Sequence, residues 1–125
     1  MTLDECFEYL GDRAALYDGT VADMLKLTPM ELWDSPTELY TFWKGKHLSH
    51  IYPQDTHPHL RTDWTNIIAE DPSDNMSRGA EVITDSELTG IALDNTADAL
   101  LIDADITDDS EEVLEVVMDI LVDAA

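Results

Sequence analysis

LSHIYPQDTHPHLRTDWTNIIAEDPSDNMSRGA, residues Leu48–Ala80, is the stretch whose reading decides the organisation of the chain. It holds three of the four histidines, with His47 immediately before it, and three of the five prolines. It also holds Asn66, Asn75 and the pair Arg78-Gly79. Residues 54–61 are turn formers interrupted by Pro58, which makes them a loop. The segments His47–Pro53 and Trp64–Ala69 are short and apolar enough to be strands on either side of it. Asp71-Pro72 starts a helix with proline at its first position, Asn75 and Arg78 lie on that helix, and Gly79 ends it. The stretch therefore reads strand, loop, strand, short helix.

Towards the N-terminus the grammar is that of short capped helices. Thr2 with Glu5 forms a capping box, in which the hydroxyl accepts from a first-turn amide and the carboxylate reaches back. Leu3, Cys6, Phe7, Leu10 and Ala14 follow at helical spacing. Gly11 weakens this helix, and Asp18-Gly19 should end it. Thr20 with Asp23 opens a second piece, Thr28-Pro29 a third and Ser35-Pro36 a fourth, which ends near Gly45. Trp33, Tyr40, Phe42 and Trp43 are expected to supply core and packing surface.

Beyond the central stretch, Thr84 with Glu87 is another capping box, and Asn95 to Asp98 reads as a further helix start. The last segment has the clearest period: Val113, Leu114, Val116, Val117, Ile120 and Leu121 share one face, and Glu111, Glu112, Glu115, Asp119 and Asp123 the other. The expected fold class is α+β and mainly α, with short capped helices flanking a small ββα element. The chain is expected to be one domain over 1–125, divided into a helical part (1–46), the ββα element (47–80) and an acidic helical C-terminal part (81–125). A lone Cys6 excludes an internal disulfide and any cysteine-based zinc site. No run of about 18 or more apolar residues occurs and no signal peptide is visible, so the chain is expected to avoid membranes and to be cytoplasmic in a host cell or virion-associated.

Charge is distributed unevenly. Residues 1–39 carry 2 basic and 9 acidic side chains, 40–80 carry 4 and 5, and 81–125 carry none and 14, for a net charge of -22. The flanks repel polyanions and the centre is nearly neutral. A salt-adapted surface, mimicry of a nucleic-acid backbone and a docking face for a basic partner all account for such a balance.

The central motif is His50-Ile-Tyr-Pro53, then Asn66 after 16 residues, then Asn75 after a further 9, followed by Arg78-Gly79-Ala80. It resembles the HNH, or ββα-metal, nucleases over roughly 33 of the 125 residues. The resemblance implies a metal-dependent nucleic-acid phosphodiesterase. His50 would be the general base that activates water, and Asn66 would hold the loop and orient His50. A divalent ion, Mg²⁺ or Mn²⁺, would stabilise charge on the phosphate. Asn75 and Ser49 would be metal ligands, with Asp74 as the nearby carboxylate, and Arg78 would contact phosphate. The pattern departs from the family at Ser49, where an acidic residue or histidine normally precedes the base. A hydroxyl and an amide are weak ligands for a hard cation.

Each of these residues also has a plain structural role open to it. His50 can be bonded to a backbone carbonyl, and Asn66 and Asn75 can serve turns and caps. Arg78 can pair with a carboxylate, and His47, His57 and His59 can be loop residues. Two functions follow. One is the HNH-like phosphodiesterase, active on nucleic acid, or its catalytically degenerate relative. The alternative is a non-enzymatic acidic interaction protein of phage or halophile type, either a structural component or a DNA mimic that binds a basic protein partner.

Self-repulsion of the flanks makes a salt dependence the first expected outcome. Thermal stability should rise from low salt to about 1 M, where the screening length falls to about 3 Å. Calorimetry across that range checks it, and a flat melting temperature would mean that the carboxylates are already locally compensated.

Overall fold

A computed structural model of the protein describes residues 1–104. The periodic acidic segment around 113–121 lies outside the described residues. Within them the chain is 61% helical, with one two-stranded antiparallel sheet. The elements in order are α1 (Leu3–Ala15), α2 (Val21–Lys26), α3 (Pro36–Lys44), β1 (His47–His50), β2 (Ile67–Glu70), α4 (Pro72–Arg78) and α5 (Asp85–Asp103). The α+β, mainly α class follows directly.

The caps are where the local chemistry places them. Thr2–Glu5, Thr20–Asp23 and Thr84–Glu87 are complete capping boxes, and the Ser35 side chain accepts from the Glu38 amide. Three local expectations are revised. The third start yields only a single tight turn, Met30–Leu32. Its expected cap, Thr28, is buried instead: its hydroxyl donates to the Met24 carbonyl at 2.7 Å and accepts from Trp43 Nε1 at 2.8 Å. Trp64–Asn66 forms another tight turn, so the second strand begins only at Ile67. Asn95 starts no helix. It lies inside α5, where its amide donates to the Ala69 carbonyl at 2.9 Å and ties the helix to β2.

The core is built from Cys6, Leu10 and Ala14 of α1, Met24 of α2, Leu32, the α3 residues Leu39, Phe42 and Trp43, then Ala69 of β2 and Ala99 of α5. Burial raises the pKa of the Cys6 thiol. Of the four aromatic residues expected to pack, Phe42 and Trp43 are fully buried and Tyr40 meets Tyr9 edge-on, whereas Trp33 is 46% exposed. No helix among the described residues is long and apolar enough to cross a membrane.

Lys46 joins the layers. It is 4% exposed and its ammonium bonds Asp71 at 2.7 Å, at the start of α4, and Asp98 at 2.6 Å, on α5. Its carbonyl receives Arg13 of α1 at 2.7 Å. Burial pulls the Lys46 pKa down, but the two carboxylates outweigh burial and leave it raised. The stabilisation is therefore complete below the ordinary lysine value and is lost as pH rises through the raised one. Both aspartates are about two-fifths exposed, so the exchange is screened. Replacing Lys46 by Met should cost about 1–3 kcal/mol at neutral pH, below the full cost of breaking a buried pair. Urea denaturation checks this, and an unchanged midpoint would show that the tie is dispensable.

Candidate functional site

β1 and β2 pair in the register His47↔Glu70, Leu48↔Ala69, Ser49↔Ile68 and His50↔Ile67, and α4 packs against β1. Alternate residues of a strand share a face, so His47 and Ser49 stand together, and both reach Asn75 of α4. The Ser49 hydroxyl donates to Asn75 Oδ1 at 2.8 Å. Asn75 Nδ2 lies 3.3 Å from His47 Nδ1, and because an amide nitrogen only donates, the histidine nitrogen accepts. Ser49, His50, Asn75 and Arg78 line one cavity of about 380 Å³, together with Tyr17, Gln54 and Asp55.

His50 is tied to the loop through one ring nitrogen. Its Nε2 lies 2.9 Å from the carbonyl oxygen of Arg61. A carbonyl cannot donate, so Nε2 carries the proton in the neutral ring and Nδ1 keeps a free lone pair. That is the protonation state a general base needs.

Asn66 does not line the cavity; it stands behind it as the clamp of the intervening loop. It is 5% exposed. Its Oδ1 accepts from the Tyr52 amide at 2.9 Å, and its Nδ2 donates to the carbonyls of Tyr52 at 3.1 Å and Leu60 at 3.3 Å. Its own carbonyl accepts from the Ile51 amide at 2.8 Å. One side chain thus joins both ends of the 52–60 loop and, through the neighbouring Arg61 carbonyl, the partner of His50.

Neither Arg78 nor Asp74 stands beside Ser49 and Asn75 as a free group: Arg78 borders the same cavity but is already paired, and Asp74 lines another. The Arg78 guanidinium grips the buried carboxylate of Glu70 with both terminal nitrogens and donates from Nε to Glu87 at 3.1 Å. The Glu70 pairing is the chief cause of its strongly raised pKa. Every guanidinium nitrogen therefore already has a carboxylate. Asp74 lines a second cavity between α4 and α5, with Glu70, Glu81, Glu87 and Asp94. Asp74 and Asp94 also approach Asp71, which lines a different cavity with Lys46 and Asp98, and the three carboxylates bring one oxygen each within 4.8 Å of one another, close enough to share a cation. Burial and then the charges of Asp71, Asp98 and Asp74 raise the pKa of Asp94.

His57 and His59 are loop residues whose rings lie 6.0 Å apart, and His57 also meets Tyr52 at 5.2 Å. Sequence reasoning missed Tyr17, Gln54 and Asp55. Tyr17 is 33 residues from His50, and no local pattern links the two. Asp55 is two residues past Pro53 in a turn-rich segment, where an aspartate carries an ordinary turn signal.

Asn66 gives the sharpest test of this arrangement. Asn66→Ala leaves the Tyr52 amide and two carbonyls without their partner, and should cost about 2 kcal/mol in urea unfolding. It should also open residues 52–61 to proteolysis; a variant as resistant as the parent would show that the clamp is redundant. The chain matches no family model, no curated protein and no solved structure.

Proposed function

We propose that residues 47–80 form an HNH-like phosphodiesterase core in a catalytically degenerate form, one that keeps the base and the loop clamp but not the seat for a divalent ion. The observation that carries this reading is the hydrogen bond between Ser49 and Asn75 beside His50. The strand–loop–strand–helix order, the bare Nδ1 of His50 and the clamping role of Asn66 support the HNH-like half of the reading.

The degenerate half rests on donor chemistry. In an active relative, a divalent ion between the residue before the base and the helix residue would stabilise charge on the phosphate. The corresponding groups here are a neutral hydroxyl and a neutral amide, and each already satisfies the other. Two neutral oxygens do not replace the hydration of a hard cation, and the one carboxylate lining the cavity, Asp55, belongs to no group of three such ligands among the described residues, so the residues do not fit such an ion. Of the three-carboxylate cluster, Asp74 and Asp94 line the other cavity, and Asp71 is already paired with Lys46. Phosphate neutralisation fails for a related reason. Arg13, Lys46 and Arg78 are half of the six cations, and all three are spent inside the fold. Affinity for nucleic acid comes largely from such cations.

A second reading, an acidic protein that binds a basic partner, is favoured by the groove between α4 and α5. Glu70, Asp74, Glu81, Glu87 and Asp94 line it against the single cation Arg78. On this reading the ββα element is a scaffold and its flanks are the working surface.

Restoring the missing carboxylate separates the possibilities. Ser49→Asp should bind Mn²⁺ at least about tenfold more tightly than the parent, equivalent to about 1.4 kcal/mol. Saturating Mn²⁺ should raise the melting temperature of the variant and leave that of the parent unchanged. Titration calorimetry and thermal melts read both. A variant with no gain in Mn²⁺ affinity would remove the HNH-like reading. Metal-dependent cleavage of plasmid DNA by the parent, abolished in His50→Ala, would instead show an active enzyme.

A further inference from the structure

His50 has a second neighbour, which comes from the other end of the molecule. The ring of Tyr17, just past the C-terminal end of α1, meets the His50 ring edge-on at 4.6 Å between centroids and an interplanar angle of 86°. Both rings line the same cavity. Tyr17 is itself held by two side chains, Arg61 and Trp64. The Arg61 guanidinium lies over its ring, 5.3 Å from the centroid. The same guanidinium donates to the Leu16 carbonyl at 2.9 Å. Trp64 Nε1 donates to the Tyr17 carbonyl at 3.1 Å.

The backbone around Tyr17 is shaped for this docking. Asp18 adopts φ 55°, in the left-handed region where aspartate is among the few tolerated side chains. Gly19 lies against the Trp64 indole so closely that a Cβ there would stand 2.2 Å from a ring carbon. The turn after α1 is thus pressed onto the segment that supplies the partner of His50. Arg61 serves at both points: its carbonyl accepts from His50 Nε2, and its guanidinium covers Tyr17.

We infer that Tyr17 is a positioning residue for His50: its ring, held by Arg61 and Trp64, blocks rotation of the imidazole away from the Arg61 carbonyl and so keeps the proton on Nε2 and Nδ1 unprotonated. The physical argument is steric and electrostatic together. An imidazole held by one hydrogen bond still turns about its side-chain torsions. An edge-to-face aromatic contact adds a directional preference that closes that freedom. The helical N-terminal part therefore belongs to the site and is more than a flank to it. The inference rests on the reading of His50 as the base, but it concerns the state of the ring and not turnover.

The test reads the His50 tautomer by ¹⁵N NMR of the full chain at a pH where the ring is neutral. The parent should show a single tautomer, Nε2–H with Nδ1 bare. Tyr17→Leu should convert it to a mixture of the two tautomers, and Tyr17→Phe, which keeps the ring, should retain the parent pattern. A purely structural role for the hydroxyl or for bulk would not give that split. Arg61→Ala keeps the carbonyl and removes the guanidinium from Tyr17. It should give partial mixing, and it serves as the readout should Tyr17→Leu lose its fold. A single Nε2–H tautomer in folded Tyr17→Leu overturns the inference. So does an unmixed tautomer in Arg61→Ala where Tyr17→Leu does not fold. A Nδ1–H tautomer in the parent also overturns it. Failure of Ser49→Asp to bind Mn²⁺ changes none of these spectra, so the two readings fail separately.

Discussion

The arrangement of the molecule depends on one buried cation. Lys46 sits between the end of α3 and the start of β1, and its ammonium reaches Asp71 before α4 and Asp98 on α5. Its main-chain carbonyl takes a guanidinium from α1. Four segments distant in sequence thus meet at one residue. A cation this deep survives because it has two carboxylates, and they stay partly wet, so the desolvation cost falls mostly on one side of the exchange. The Asp71 side chain consequently makes no cap bond to its own helix. A possible local interaction has given way to a tertiary one, and the result sets where α4, and with it Asn75, stands against β1.

The same economy of cations explains the chemistry of the cavity. A chain of net charge -22 has six basic side chains, and the fold uses its arginines and Lys46 as fasteners. Arg78 locks the end of α4 to the end of β2 and to the first turn of α5. Arg61 locks the loop to α1, and Arg13 locks α1 to the α3–β1 junction. What remains at the cavity, beside the paired Arg78, is a hydroxyl, two amides, an imidazole, a phenol and the single carboxylate of Asp55. These can orient a ring and hold a loop without attracting a polyanion. Five other carboxylates, those of Glu70, Asp74, Glu81, Glu87 and Asp94, collect in the groove between α4 and α5.

Asn66 and Asn75 show how one residue type performs different work in this frame. Asn66 faces backbone only, and its three side-chain bonds tie the two ends of the 52–60 loop together. Asn75 faces two side chains of β1, and its amide couples the helix to the strand. The first role is that of a turn residue extended over a longer span. The second depends on β1 and α4 being in contact at all.

By itself the sequence determined the local elements. Capping boxes at Thr2, Thr20 and Thr84, proline after Ser35 and Asp71, and Gly79 at a helix end all act over three or four residues, so their physics is complete within the segment. The order strand, loop, strand, helix, and the presence of His50, Ser49 and Asn75 around it, were legible for the same reason. Tertiary structure decided everything that needed a distant partner. Thr28 left its cap for the core because Trp43 offers it a hydrogen bond, and Asn95 stayed inside a continuous helix because β2 offers it a carbonyl. Arg78 met Glu70 and Glu87, and Tyr17 met His50, across separations that no local periodicity records. Side-chain spacing fixes which faces form; only the packed chain fixes which groups those faces meet, and so which charges at the cavity are already spent.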